Sequence, residues 1–490
     1  MITLGTNRHH HSNACVLENG NLVFSLEEDR LSKSRYDGLS TLNLIEVAKR
    51  YNLDLHADCG FYQDDEFKYT KTTFFQYIVS KLYRKDIKFI DYSFDHHLCH
   101  AAGAFYNSNY DNAISIVLDG IGSKDMFKGV GESYSAYLCS YPNEFKIIDK
   151  KYTDTFKSLG TMYAQYSEHL GFKPGDFHAG KTMGLSSYGK KDRLEYSIET
   201  KNMKDFNKSA DLAKTLQLHL EEKTIELIKD CLSKTNTRNI CMSGGVILNC
   251  VNNYNIVKTF KDVNFYFEPV SHDAGTSIGA AKLAYYNETK SNTKHTQKIF
   301  QGLEPDYSKL NNVNHRQTTF LEVAKLLQQG KIVAMFQGRS EIGPRALGNR
   351  SILFNPMIEN GKDIVNTVKG REWFRPFGAT VLKEHALGWF DIENSPYMLI
   401  TSKVKRKDIP SVTHVDNTCR IQTLTKEFNS NFYKLIEEFY TITGVPILLN
   451  TSFNLAGEPL VETFEDAIDT FQRSKLDYMF LPDINTIVER

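Results

Sequence analysis

No stretch of the 490 residues approaches the roughly 18 consecutive apolar positions that a membrane helix requires, so no membrane partner is expected. The opening Met1-Ile-Thr-Leu-Gly-Thr-Asn turns polar at once, which gives no apolar leader and points to a cytoplasmic protein. Cysteine pairs of the CxxC type are also missing. The eight cysteines (Cys15, Cys59, Cys99, Cys139, Cys231, Cys241, Cys250, Cys419) are scattered, which argues against a disulfide framework and a thiolate zinc site and leaves them as small core residues. Nor is there an excess of charge. Lys+Arg and Asp+Glu are 59 each, so bulk electrostatics demand no polyanionic partner and any basic site must be local.

What is present is enough chain for two or three domains. ITLGT, a polar NRHHHSN, ACVL, the turn pair Asn19-Gly20 and LVFSL read as strand, loop and hairpin. The outline returns as SIVLDGIGSKDMF, SYSAYL, the turn SYPNEF and KIIDKKY. Two copies suggest a duplicated α/β domain of the actin and sugar-kinase kind, with nucleotide between the halves, although two unrelated hairpins have the same spacing. From about Asn287 to Arg316 the chain turns polar and aperiodic, which sets expected domains at 1–310 and 317–490.

Within FDHHLCHAAGAF, His96 and His100 are four apart, so on a helix both imidazoles leave one face. The following strand ends in Asp119-Gly120, where an α/β sheet delivers a carboxylate into its crevice. These three suit a metal, while polar surface or a satisfied core contact is the plainer reading of the histidines alone. Asp273, in SHDAGTSIGAA, stands at another strand end as a further ligand or a helix N-cap. Lys181, among Gly180, Gly184 and Gly189, reads as an anion contact. Ser243-Gly244-Gly245 opens a helix with Asn249 one turn in, an arrangement whose N–H groups approach phosphate or ribose.

The later half differs chemically. QGRSEIGPRALGNRSI carries Arg339, Arg345 and Arg350 between Gly338, Gly343 and Gly348, and Lys369, Arg371 and Arg375 follow in VKGREWFRPFG. Arginine forks with glycines between them suit a polyanion cradle better than a solvated loop paired with Glu341 and Glu372. In THVDNTCRIQT, a strand reading puts His414, Asp416, Thr418, Arg420 and Gln422 on one ligand-facing side. VPILLN then ends in Asn450-Thr451-Ser452-Phe453-Asn454, another polar strand end.

Together HHLCHAAGAF with VLDG, SLGTMYAQYSEHLGF, GKTMGL, SGGVILNC, HDAGTSIGAA, GRSEIGPRALGNRSI, HVDNTCRIQT and NTSFN make the chain resemble the ATP-dependent O-carbamoyltransferases of nodulation factors, antibiotics and toxins. The resemblance implies an actin-like N-terminal domain, similar to the tRNA threonylcarbamoyl transferase, and a smaller α/β (α+β) C-terminal domain similar to threonylcarbamoyl-adenylate synthase. It implies that His96, His100, Asp119 and Asp273 bind a divalent metal, iron before zinc or manganese. It also implies that ATP, with Mg, and carbamoyl phosphate give carbamoyl-adenylate at Arg345 and Arg350. Nucleotide and phosphate contacts would come from Lys181, Gly244, Gly245, Asn249, Gly275, Arg339, Arg371, Arg375, His414, Arg420, Asn450, Ser452 and Asn454. An acceptor hydroxyl then takes the carbamoyl group at the metal, with His10 as its base. His11, Asn13 and Asn417 stand where the family commonly has Asp, Ser and Gly.

A small hydroxylated metabolite is the default acceptor. A hydroxymethylated base in a nucleotide or DNA is the alternative, because Lys68 to Phe89 interleaves Lys and Arg with Tyr69, Phe74, Phe75, Tyr77 and Tyr83, though Phe74, Phe75, Ile78 and Leu82 also make an ordinary buried helix stripe. Threonylcarbamoyl transfer to tRNA, a sugar-kinase-like phosphotransferase and a non-catalytic nucleotide-binding regulator are the competing classes. A hydrolase using Ser452, His414 and Asp416 is disfavoured because the last two read as neighbours on one strand. Monomer and homodimer both remain open.

Overall fold

Strand β1 (Ile2–Asn7) is buried along nearly its whole length, as befits the middle of a sheet covered on both faces. It pairs antiparallel with β2 (Asn13–Glu18) and parallel with β4 (Leu55–Asp58). At the Asn19-Gly20 turn both residues have positive φ, and there β2 reverses into β3 (Asn21–Glu27). With β5 (Lys88–Asp91) beside β4, the order is β3-β2-β1-β4-β5. This computed structural model describes residues 1–8, 10–35, 37–38, 41–60, 79–81, 87–125, 129–154, 157–172, 178–190 and 205–490. Most of the basic and aromatic stretch from Lys68 to Phe89 lies outside them.

The second sheet repeats the first. β6 (Asn112–Leu118) pairs antiparallel with β8 (Val130–Ser140), which continues antiparallel to β9 (Glu144–Asp154), while the two-residue β7 (Lys124–Asp125) also pairs with β8. On the other side of β6 lie β10 (Asn239–Ser243) and β11 (Asn264–Phe267), both parallel. The path β9-β8-β6-β10-β11 has the order and directions of β3-β2-β1-β4-β5, so the two hairpins are a duplication of the actin and sugar-kinase type.

The helices that follow the fifth strand of each copy are exchanged. His96–Ser108, after β5, packs on β6, β8 and β10 of the second sheet, and Ala274–Thr289, after β11, packs on β1, β2 and β4 of the first. The two helices also pack against each other. Small residues permit this: His96–Ser108 has Ala101, Ala102, Gly103 and Ala104, and Ala274–Thr289 has Gly275, Gly279, Ala280 and Ala281, all buried. A Cβ on Gly279 would lie 1.8 Å from the Cys99 carbonyl oxygen. Both helices stop in a left-handed residue, Asn109 and Lys290.

The third sheet uses β12 (His315–Gln317), β13 (Val333–Phe336), β14 (Arg350–Phe354), β15 (Gly378–Leu382), β16 (Ile400–Lys403), β17 (Thr418–Leu424), β18 (Ile447–Ser452), β19 (Tyr478–Leu481) and β20 (Thr486–Glu489). Their order is β12-β20-β19-β13-β14-β18-β15-β17-β16, with parallel and antiparallel pairs mixed. One continuous apolar cluster joins it to the second sheet, from Ile114, Leu118 and Met242 to Phe336, Leu353 and Leu449. All eight cysteines are free and buried. Among the described residues, no helix is long and apolar enough to cross a membrane.

Candidate metal centre and arginine pocket

Where the two exchanged helices meet, His96, His100, Asp119 and Asp273 converge, all buried, with one ligand atom from each within 4.8 Å of the others. The first turns of His96–Ser108 supply both imidazoles. β6 delivers Asp119 at its C-terminal end, and the start of Ala274–Thr289 delivers Asp273. His96 Nε2 is 3.3 Å from Asp119 Oδ2 and 3.7 Å from Asp273 Oδ1, and His100 Nε2 is 3.7 Å from Asp273 Oδ1. Asp273 stands at the N-cap position of its helix without a side-chain capping bond, and its carboxylate faces His96 and His100.

Neighbours hold the four groups in register. His100 Nδ1 lies 3.2 Å from Ser243 Oγ, which turns Nε2 toward the carboxylates, and that Nε2 is buried without a hydrogen-bond partner. Gly245 N–H donates to Asp119 Oδ1 at 2.8 Å. This close wrap needs Gly244 at φ 93, where a Cβ would meet the Leu118 carbonyl oxygen at 2.2 Å. Asn7 Nδ2 donates to the Asp273 carbonyl at 2.9 Å, and Asn13 Nδ2 to Ser277 Oγ at 2.7 Å, so the asparagine at position 13 pins the helix that carries Asp273.

Burial alone would push His96 down, but Asp273 and the bond to Asp119 hold it well above its ordinary value. Burial and Asp273 raise Asp119, and His96 with His100 outweigh them, leaving it below its ordinary value. Two buried carboxylates facing an unpartnered imidazole nitrogen fit a divalent cation. His10, with its side chain 31% exposed, places Nε2 3.3 Å from Asp273 Oδ2 at the open side. His11 is half-buried edge-on against His272 at 4.6 Å and is pushed down to about 3, first by burial and then by His272.

Because the crossing brings His96, His100 and Asp273 together, a methyl group at Gly279 has a definite consequence. Gly279→Ala drives a Cβ into a helix carbonyl and should lower stability by roughly 1–3 kcal/mol while weakening metal retention, read by thermal unfolding and metal analysis of the same sample.

The basic residues of the later half divide into two groups. Arg345, Arg371, Arg375 and Arg420 line a pocket with His414, Thr401, Thr418, Gly184 and Cys250. Nε of Arg345, Arg371 and Arg420 is buried without a partner among the described residues. Burial and then Arg420 push Arg345 down to about 9, and burial, Arg375 and Arg420 push Arg371 well below its ordinary value. Guanidiniums keep their protons, so these shifts mean unrelieved repulsion that an anion would relieve. The pocket spans both halves of the chain: Arg345 Nη2 donates to the Leu248 carbonyl at 3.1 Å, and His414 Nε2 donates to the Gly184 carbonyl at 2.9 Å.

Arg339 and Arg350 belong elsewhere, contrary to expectation. Arg350 is fully buried, its ring-like fork stacked 3.8 Å from the Phe336 ring centroid, and its donors meet the carbonyls of Gln337, Gly338, Asn349 and Glu462. Arg339 donates to the carbonyls of Gly302, Val23 and Gln301. Both have their N–H groups committed to backbone and tie the loop down. Arg350→Met should therefore lower unfolding free energy by about 3 kcal/mol, since several buried carbonyls lose their donor, and chemical denaturation checks it.

Other expected contacts are redistributed too. Asn249 caps the Cys250–Thr259 helix and bonds Gln217, and Gly275 is tightly packed, where a Cβ would meet the Val270 carbonyl oxygen at 1.9 Å. Lys181 pairs with Glu372 at 2.7 Å, bridging the halves. Asn450 sits in the floor of the third sheet, bonded to Thr380 and the Ala346 carbonyl, while Ser452 and Asn454 surround the buried Lys369 ammonium. Only Thr418, Arg420 and Gln422 lie on β17. His414 and Asp416 precede it in a turn closed by left-handed Asn417 at φ 61, a position that Asn tolerates and Gly favours. One residue gave no sequence signal: Arg30, buried, donates to the carbonyls of Glu341 and Gly343 and to Glu27, whose other oxygen meets His272 at 3.0 Å. This chain of bonds runs from beside Asp273 to the loop that carries Arg345.

Two family profiles match separate stretches of the chain. A family profile of the carbamoyltransferase N-terminus matches residues 45–208 and 193–282, and one of the carbamoyltransferase C-terminus matches 324–488. An uncharacterized protein of Methanocaldococcus jannaschii is 32% identical over 458 residues, covering 82% of this chain and 74% of that protein. Nodulation protein NolNO of Sinorhizobium fredii is 31% identical over 436 residues, covering 78% of this chain and 62% of that protein. Nodulation protein NolO of Bradyrhizobium diazoefficiens is 29% identical over 439 residues, covering 78% and 77%. With both profiles matched across most of its length, the chain belongs to the carbamoyltransferase family.

Proposed function

We propose that the chain carries out an ATP-dependent O-carbamoyl transfer in two steps, acting in the cytoplasm on a small hydroxylated molecule. At the arginine pocket, carbamoyl phosphate, ATP and one water give carbamoyl-adenylate, pyrophosphate and phosphate. Water cleaves the carbamoyl phosphate to carbamate and phosphate, and a carbamate oxygen then attacks the α-phosphorus as pyrophosphate leaves. Arg345, Arg371, Arg375 and Arg420 bind the phosphate charges and hold them in line. The observation that carries this reading is the set of buried guanidinium nitrogens without partners, which suits several phosphates at once.

In the second step the acceptor hydroxyl attacks the carbamoyl carbon and AMP leaves. His10 takes the hydroxyl proton, steadied by Asp273 at 3.3 Å. His96, His100, Asp119 and Asp273 would hold a divalent metal, iron before zinc or manganese, which supplies a Lewis acid beside the transferring group. The segment from Ser243 to Cys250 touches both sites, through Gly245 to Asp119 and through the Leu248 carbonyl to Arg345. Phosphorus NMR of the protein with ATP and carbamoyl phosphate tests the reading: AMP, pyrophosphate and phosphate are expected, whereas ADP as the sole nucleotide product would make it a phosphotransferase.

A further inference from the structure

The chain has two tryptophans, and their surroundings are opposite. Trp389 is 3% exposed under the Arg406 guanidinium, whereas Trp373 stands 57% exposed beside Phe206, itself 37% exposed. The Trp373 and Phe206 ring centroids are 5.2 Å apart at an interplanar angle of 31°, and Tyr188 meets Trp373 edge-on at 5.7 Å. Large rings held together in water forgo the burial that usually places them inside.

Their position gives the cluster a ligand. Trp373 lies between Arg371 and Arg375, whose side chains line the anion pocket, and Tyr188 packs edge-on at 5.4 Å against His414 of the same wall. An exposed aromatic cluster, with the Lys362 ammonium 5.9 Å from the Trp373 centroid, therefore adjoins a pocket of four arginines against which only Glu372, paired with Arg375 at 3.3 Å, sets a carboxylate among the described residues. A molecule with a flat ring at one end and several phosphates at the other matches both features.

We propose that Trp373, backed by Phe206 and Tyr188, is the platform on which the purine base of a nucleotide stacks while its phosphates occupy the arginine pocket. This rests on the ATP reading above and adds the part of the site that recognises the base. Stacking on an aromatic side chain accounts for about a tenfold gain in affinity or more.

Because the chain has only Trp373 and Trp389, the tryptophan emission that Trp373→Leu lacks relative to the native chain reports on Trp373. Magnesium complexes of ATP and of inorganic tripolyphosphate are titrated into the native chain and into Trp373→Leu, with binding measured by calorimetry and folding by thermal unfolding. The expected result is that ATP quenches native emission and binds about tenfold more tightly than tripolyphosphate, and that Trp373→Leu loses this advantage while keeping its tripolyphosphate affinity. Equal affinity of ATP and tripolyphosphate in the native chain overturns the platform and leaves the phosphate pocket standing. An ATP advantage that survives in Trp373→Leu, with native emission unchanged, also overturns it, since the base then sits elsewhere. If neither compound binds, the ATP reading fails and the platform with it.

Discussion

Arg345→Ala is expected to lower pyrophosphate release from ATP and carbamoyl phosphate by about 10- to 100-fold while leaving the metal content unchanged, because one charge-assisted phosphate contact contributes roughly 1.5–3 kcal/mol. Among the described residues the Arg345 side chain is held by one bond, to the Leu248 carbonyl, and its Nε is buried without a partner, so its loss removes a ligand contact more than a structural one. Removing one of four mutually repelling cations also relieves its neighbours, and the variant should unfold no earlier than the native chain. Arg345→Lys should recover little, since an ammonium lacks the bidentate fork. Native rates in Arg345→Lys would mean that the pocket handles its anion by charge alone.

The opposite pattern is expected at the other site. Asp119→Asn and His100→Ala should each reduce metal affinity by at least about 100-fold, since loss even of a group that only orients a ligand costs 10–100-fold. Both should still release pyrophosphate. His100 Nε2 has no hydrogen-bond partner among the described residues, and Asp119, bound by Gly245 on Oδ1, turns Oδ2 toward His96 at 3.3 Å inside the cluster, so both groups face the space a cation would fill. Metal analysis after dialysis, alongside a pyrophosphate assay on the same preparation, checks both halves. Joint loss of metal and pyrophosphate release in a folded variant would tie the first step to the metal centre.

The four residues of the candidate metal site stood out in the sequence because a spacing of four puts His96 and His100 on one helix face and a strand end delivers Asp119, whereas Asp273, read as another strand end, stands at the start of a helix six residues beyond β11. Their convergence was not legible. It depends on the exchange of helices between the two sheets, and no local pattern reports which sheet a helix will cover. The duplicated hairpins were visible from the turn chemistry of Asn19-Gly20, whereas the common strand order came only with the pairing.

The arginines show the limit most clearly. Sequence shows that Arg339, Arg345 and Arg350 share a glycine-punctuated loop, but it does not show what their N–H groups meet. Arg350 is satisfied by four carbonyls and Arg345 is not, and that difference separates a structural tie from a ligand contact. Likewise the alternation in THVDNTCRIQT suggested one long strand face, and left-handed Asn417 breaks it into a turn and a shorter strand. Arg30 was hidden for the reverse reason, since a charged run after a strand reads as solvated until its burial and its carbonyl partners are seen.

The central claim is that activation and transfer occur at two separate sites. Rapid-quench mass spectrometry of Asp119→Asn, mixed with ATP and carbamoyl phosphate, tests it most directly. Carbamoyl-adenylate should form on the variant as it does on the native chain, because the arginine pocket still makes it and no acceptor is present to consume it. No carbamoyl-adenylate in a folded Asp119→Asn protein that still binds ATP would contradict the claim and require both reactions to share the metal centre.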